Sequence, residues 1–164
     1  GKPAVTIRIS GRIAARARND AMIDLFAEFD RACSAWNGTD FDVLDERDRL
    51  LIAIWGLEAE VNNGGFDQYY FNLAGDQAWF APDALRRIGA SQVAAIVNEA
   101  NAQFGSDGPS RDRSARQDQL GRLTAARVDL FHSLDRRFYE YPDDIAALLA
   151  AFLERSPSKL SSDN

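Results

Sequence analysis

The sequence predicts an all-α fold, a single irregular bundle of about six to eight helices. Three observations carry this. Leu50, Ile54, Leu57 and Val61 recur at helical spacing, and Leu51, Ile52 and Trp55 widen the apolar stripe almost around the helix, as in a central, buried helix. That run ends in Asn62-Asn63-Gly64-Gly65, and an aromatic segment with Phe66, Tyr69, Tyr70 and Leu73 follows at once. Elsewhere apolar residues also return at helical spacing between Gly, Pro and Asn stops.

The one exception comes first. Val5, Ile7 and Ile9 alternate with Thr6 and Arg8, a short strand pattern ended by Ser10-Gly11. A lone strand completes no sheet, so this reads as an arm that pairs with another copy or lies on the surface. Residues 12–18 are rich in Ala and Arg and suit a helix. Asp20 is the expected cap of the first firm helix, with Met22, Phe26, Phe29, Cys33 and Trp36 on one face and Asn37-Gly38 as its stop. Acids then crowd the entry to the central helix: Asp40, Asp42, Asp45, Glu46 and Asp48, against Arg47 alone. Acids in a first turn complement the helix dipole, and the same cluster is an anionic patch for a basic partner.

At the corner, Gly64 is expected to take the left-handed conformation that ends a helix, with Gly65 as the N-cap of the next, Asp67 in its first turn and Gln68 at its third position. Gly75 is the expected stop and Asp76 the next cap. Pro82 suits the first position of a helix carrying Leu85 and Ile88 and ended by Gly89. Ser91 caps a helix with Val93, Ile96, Val97, Ala100 and Phe104. Residues 105–114, GSDGPSRDRS, read as a flexible loop. Leu120, Leu123, Leu130, Leu134 and Phe138 mark one long helix. Tyr141-Pro142-Asp143-Asp144 reads as a helix start with Pro at the first position, and Ile145, Leu148, Leu149 and Phe152 as the buried face that follows. The expected core is Phe26, Phe29, Leu50, Ile54, Trp55, Leu57, Val61, Phe66, Tyr70, Val97, Leu130, Leu134 and Phe152. The organisation is a basic arm over 1–19, one helical domain over 20–156 and a flexible tail over 157–164.

Composition narrows the function classes. At 46% hydrophobic and 27% charged residues the chain reads as a soluble globular protein. Cys33 is the only cysteine, which excludes an intrachain disulfide and multi-cysteine zinc sites. No apolar run approaches the roughly 20 residues that span a bilayer, and no signal peptide is visible, so a cytoplasmic location is the simplest expectation. The net charge of −6 is unevenly placed. Residues 1–19 hold Lys2, Arg8, Arg12, Arg16 and Arg18 and no acid, while the remainder holds 14 basic against 25 acidic residues, −11. An acidic body argues against direct nucleic-acid binding and suits basic partners.

Motifs of chemistry are absent. His132 is the only histidine, and no HExxH, G-x-S-x-G, phosphate loop or G-x-G-x-x-G occurs. Glu58 and Glu60, two apart on a helix, point in different directions, whereas Glu58 and Asn62 share a face with the corner. No catalytic residue, metal ligand or cofactor is assigned. Asn62, Asn63, Gly64, Gly65, Phe66, Gln68 and Tyr69 have two readings: a corner whose Asn side chains satisfy buried backbone groups, or a polar pocket where Asn62, Asn63, Gln68 and Tyr69 converge on a ligand.

The block Glu60-Val61-Asn62-Asn63-Gly64-Gly65-Phe66-Asp67-Gln68-Tyr69-Tyr70-Phe71-Asn72 resembles the hallmark of the bacterial family named for a neisserial DNA-mimic protein. Ala84-Leu85-Arg86-Arg87-Ile88-Gly89-Ala90 and the stretch from Phe138 to Pro142 extend the resemblance over roughly residues 22–155. The resemblance implies an all-α fold. It also implies, from a dimeric name-giving member, acids arrayed like DNA phosphates and taken by a DNA-binding transcription factor. The expected function is therefore that of a non-enzymatic binding protein. Its acidic surface would comprise Asp40, Asp42, Asp45, Glu46 and Asp48, aided by Asp143 and Asp144, with a basic protein such as a transcription factor as partner and a homodimer allowed. The alternative is a small-ligand binder, or an enzyme, using the Asn-Asn-Gly-Gly corner.

Overall fold

In the computed structural model, residues 11–13 and 23–157 are described. Leu50 to Val61 is the apolar run of the sequence, and every residue in it is buried. It lies within a 26-residue helix, Glu46–Phe71, which runs through the molecule. Among the described residues this helix, α2, is preceded by α1 (Leu25–Trp36) and followed by α3 (Ala81–Ile88), α4 (Ser91–Asn101), α5 (Arg113–Gly121), α6 (Ala125–Tyr139) and α7 (Ile145–Arg155). Short 3₁₀ turns lie at Phe41–Val43, Leu73–Gln77 and Ala102–Phe104, and no strand occurs among the described residues. Helices α1, α3, α5 and α6 all pack on α2; α3 also packs on α4 and α7, and α4 on α6. The fold is all-α, as the sequence predicts. The strand pattern at 5–9, Asp20 and Met22 lie outside the described residues.

Aromatic rings fill the core at both ends of α2. Near its start Trp55 stacks on Phe29 at 4.3 Å between centroids. Beyond the corner, Tyr70 meets Phe66, Phe104 and Phe131, and Phe66 meets Phe138 edge-on. Of the expected core, Phe29, Leu50, Ile54, Trp55, Leu57, Val61, Phe66, Tyr70, Val97 and Leu134 are buried. Leu130 and Phe152 are partly buried, and Phe26 is 39% exposed. Phe26 lies off the buried face because α1 turns Leu25, Phe29, Ala32 and Trp36 inward, with Asp24 as its cap accepting from the Ala27 amide at 3.0 Å.

Several local expectations are corrected. The long helix expected from Leu120 to Phe138 is two: α5 ends at Gly121, and α6 begins at Ala125 after Thr124. The loop over 105–114 is pinned rather than loose. Gln119 accepts from the Ser110 amide (2.7 Å) and donates to the Gly108 carbonyl (3.2 Å), and Pro109 is buried. Gly75 does not stop the aromatic helix, which ends at Phe71, and Asp76 caps nothing but accepts from Arg116 at 2.7 Å. Pro82 is the second residue of α3, after Ala81. Ser91 is the first residue of α4, and the Val93 amide there is met by Asp143 Oδ2 (2.9 Å) from the other side of the chain. Pro142 precedes α7, whose cap is Asp144, accepting from the Ala147 amide at 3.1 Å.

Leu57 is fully buried in the middle of α2. Leu57→Ala is expected to cost roughly 2–5 kcal/mol through lost transfer energy plus the cavity left behind. Urea denaturation checks it, and an unchanged midpoint would remove Leu57 from the core.

Candidate functional site

The conspicuous feature of α2 is its break at Gly64-Gly65. Gly64 sits at φ −160°, extended backbone that any residue adopts. Gly65, not Gly64 as the sequence suggests, takes the positive φ of 75° with ψ −175°, a combination nearly restricted to glycine. A Cβ on Gly65 would overlap the carboxylate of Asp135 on α6. That carboxylate is there because the break orphans backbone groups. Asp135 Oδ1 accepts from the Phe66 amide at 2.8 Å, and Tyr139, one turn further along α6, donates its hydroxyl to the Val61 carbonyl at 2.8 Å. Spacing i, i+4 on α6 thus caps both sides of the interruption. Burial pushes the Asp135 carboxyl above its usual range, against the pull of the Phe66 amide.

Glu60, Asn62, Gln68 and Asn72 are bonded within the fold, whereas the buried Tyr69 hydroxyl has no hydrogen-bond partner among the described residues. Glu60 Oε2 accepts from Gln68 Nε2 (2.7 Å) and Asn72 Nδ2 (2.9 Å), tying the two halves of the broken helix together. Asn62 Nδ2 donates to the Glu58 carbonyl (2.7 Å), to Glu58 Oε1 (3.0 Å) and to the Tyr141 hydroxyl (2.6 Å). Tyr69 is fully buried, and burial raises its hydroxyl far above the usual range. Asn63 is exposed. Asn62, Asn63, Gln68 and Tyr69 therefore face different surroundings, and the structure does not bring them to one point.

A second cluster lies one turn back on α2. Glu58 is fully buried, and its Oε1 accepts from the Tyr141 hydroxyl (2.5 Å) and from the Arg12 amide (2.6 Å). Residues 11–13 are helical, Ile13 is fully buried, and the Arg12 guanidinium covers the Tyr141 ring at 3.9 Å. Gly11 has φ +92°, and a Cβ there would strike the Glu58 carboxylate. Tyr141 holds φ +49°, rare for a non-glycine residue, while its hydroxyl reaches Glu58. Burial raises the Glu58 carboxyl above the usual range; the Tyr141 hydroxyl and the Arg12 and Ile13 amides pull the other way without cancelling it.

Arg116 closes the far end of the motif. It is fully buried, with Nε on the Tyr70 carbonyl (2.6 Å), Nη2 on the Asn72 carbonyl (2.9 Å) and Asp76 (2.7 Å), and Nη1 on the Ser110 carbonyl (2.9 Å). Gln117 donates to the Phe71 carbonyl at 2.9 Å. The last carbonyls of α2 are thus met by α5, and Gly75 leaves room for the guanidinium. Asp135, Tyr139, Tyr141 and Arg116 are missed by sequence reasoning, since each lies more than 40 residues from the group it serves.

The acidic candidates divide. Asp48 is only 6% exposed and bonds Arg31 at 2.7 Å, so it offers nothing to a partner. Asp42 is paired in two-pronged fashion by Arg111 (2.8 and 2.9 Å), which also covers the Trp79 ring. Glu46 is ion-paired with Arg87. Asp143 and Asp144 serve the starts of α4 and α7. Asp40 and Asp45 are exposed. His132 is exposed, and burial pushes the Cys33 thiol up to about 11, which suits a packing role rather than a nucleophile. Among the described residues no group of His, Cys, Asp and Glu is arranged to hold a metal, and no helix is long and apolar enough to cross a membrane.

The family model for DMP19-like proteins matches residues 42–156, and the chain belongs to that family. No curated protein and no solved structure matches it.

Two outcomes follow from this geometry. Gly65→Ala is expected to cost roughly 1–3 kcal/mol, because it combines a left-handed φ with a clash on Asp135, and more than Gly64→Ala, which clashes with the Gln68 side chain but keeps a negative φ. Chemical denaturation of the two variants checks the order. The second outcome concerns pH. With its folded carboxyl raised by burial, Glu58 contributes stability that is complete below its unfolded value of about 4.3 and is lost as pH rises through the folded one. Wild type should therefore lose more stability than Glu58→Gln as pH rises from below the unfolded value through the folded one; parallel pH profiles would show that Glu58 is not the titrating group.

Proposed function

We propose that this chain is a non-enzymatic binding protein whose acidic surface engages a basic, DNA-binding protein in place of DNA, a transcription factor being one such partner. The observation that carries this is the family match over residues 42–156, in a chain whose residues from 20 onward hold −11. The geometry supports it by elimination. Side chains of the hallmark block are bonded within the fold: Gln68 and Asn72 donate to the Glu60 carboxylate, and Asn62 donates to the Glu58 carbonyl. A ligand at the corner would have to displace those bonds, so the pocket reading has less support.

Within the acidic set, the binding surface is proposed to be Asp40, Asp42, Asp45 and Glu46 at the entry to α2. Asp42 and Glu46 carry exposed arginine partners, Arg111 and Arg87. Exposed pairs of this kind are worth little, on the order of 0–1 kcal/mol, so an incoming arginine can replace the internal one. Asp48 is excluded by burial, and Asp143 and Asp144 are secondary because they already cap helices.

The test captures a DNA-binding protein on the chain at low salt and then adds duplex DNA. Mimicry requires mutual exclusion, with the duplex releasing the chain; a ternary complex would overturn it. Changing Asp40, Asp42 and Asp45 to Asn should slow association several-fold with little change in dissociation, and the difference should shrink as salt rises beyond the Debye screening regime of about 8 Å. Equal, salt-independent affinities of wild type and variant would sink the acidic surface.

A further inference from the structure

The entry to α2 carries more than acids. Phe41 turns inward from the 3₁₀ turn Phe41–Val43 and meets Trp36 (5.8 Å between centroids) and Phe80 (5.7 Å) edge-on. With Phe41 held inside, its neighbours Asp42 and Val43 face out, and Val43 is 71% exposed. Trp79, the residue before Phe80, is 40% exposed. The contact between Phe41 and Phe80 therefore sets the Asp42 carboxylate beside the Trp79 ring, and one guanidinium spans both. Arg111 donates from Nη2 to Asp42 Oδ1 (2.9 Å) and Oδ2 (2.8 Å), with its Cζ 4.3 Å from the centroid of the Trp79 ring. Both side chains of the ion pair are more than half exposed.

We propose that Asp42, Trp79 and Val43 form a recognition site for an arginine side chain of the basic partner, and that Arg111 fills this site until the partner's arginine displaces it. This rests on the acidic-surface reading above and adds what charge alone does not specify, the kind of cation. A carboxylate beside an aromatic face suits a planar guanidinium, which forks to the carboxylate and stacks on the ring. An ammonium is a compact, strongly hydrated charge and does neither as well. Arg111 demonstrates the fit and also why it can be replaced. It spends one nitrogen on both carboxylate oxygens, whereas the strongest pairing uses two parallel N–H···O bonds from two nitrogens. An arginine arriving from outside is free of the Arg111 backbone and can adopt that geometry. Release of the Arg111 side chain leaves its loop in place, because Gln119 accepts from the Ser110 amide and Arg116 donates to the Ser110 carbonyl. Asp40, Asp45 and Glu46 keep the surroundings anionic, and Val43 offers apolar surface to the methylene stem of the incoming side chain. Trp and Arg dominate the binding energy of protein interfaces, ringed by contacts that exclude water.

The probes are two labelled peptides of equal charge, nona-arginine and nona-lysine, titrated at low and high salt against four full-length proteins: wild type, Trp79→Leu, Arg111→Gln and Arg113→Gln. Arg113 is exposed at the start of α5, so its change matches Arg111→Gln in net charge. Wild type should bind the arginine peptide several-fold more tightly than the lysine peptide. Trp79→Leu removes the ring face without changing charge; it should weaken the arginine peptide several-fold and leave the lysine peptide as in wild type. Arg111→Gln should tighten arginine binding several-fold more than Arg113→Gln does. If Trp79→Leu fails to fold, Trp79→Phe, with its smaller ring, should lower the arginine preference without abolishing it. An arginine preference equal in wild type and Trp79→Leu, with salt-sensitive binding of both peptides intact, would overturn the arginine site and leave the acidic surface standing. Equal losses of both peptides in Trp79→Leu would make Trp79 a general apolar contact and also overturn the site. Equal gains from Arg111→Gln and Arg113→Gln would refute the displacement of Arg111. Absence of salt-sensitive binding in all four proteins would sink the acidic surface and this site with it.

Discussion

The fold depends on how one buried helix is interrupted. Breaking α2 at Gly64-Gly65 frees amide and carbonyl groups inside the protein, where an unpaired one costs about 1–3 kcal/mol. Asp135 takes the Phe66 amide and Tyr139 gives to the Val61 carbonyl, so α6 must lie alongside the break with these two side chains facing it. That placement carries Phe131, Leu134 and Phe138 of the same helix into the aromatic core around Phe66 and Tyr70. It also fixes the start of the chain segment that brings Tyr141 to Glu58 and Asp143 to the first turn of α4. Helix α5 does the same for the other end of α2 through Arg116.

Charge follows the same logic of compensation. Each ionisable group among the buried polar residues meets at least one partner: Glu58 Oε1 has a hydroxyl and an amide while its Oε2 has none among the described residues, Glu60 has two side-chain amides, Arg116 three carbonyls and Asp76, and Asp48 has Arg31. Buried charges without such partners cost several kcal/mol each, so these residues cannot also serve a ligand without loss to the fold. Glu60, Gln68 and Asn72 of the corner are held by bonds within the fold. The exposed acids Asp42 and Glu46 instead carry exposed arginine partners, Arg111 and Arg87.

Much of this was legible in the residues. The apolar run from Leu50 to Val61 marks a buried helix, since its stripe leaves no polar face for solvent. Gly89 as a left-handed stop after α3 and the double-glycine break are local backbone matters, readable because only glycine relieves the Cβ clash. Local patterns failed where a distant group decided the outcome. Residues 105–114 look loose by composition, yet Gln119 and Arg116 hold them. Asp76 looks like a cap until Arg116 claims it. The run from Leu120 to Phe138 keeps helical spacing across Gly121 and Thr124, and spacing alone does not reveal the break between α5 and α6.

The sequence by itself determined the fold class, the identity of the central helix, the position of its corner and the family, because each rests on short-range spacing or on a contiguous block. Only the tertiary structure decided which groups bond the corner. Asp135, Tyr139, Tyr141 and Arg116 act on α2 from 44 to 83 residues away, counting each pair along the chain. The tertiary structure likewise separated acids that are spent inside, such as Asp48, from those that face outward, such as Asp40 and Asp45. An acidic side chain reads the same in sequence whether it meets water or a buried arginine; burial and pairing exist only once the helices are packed.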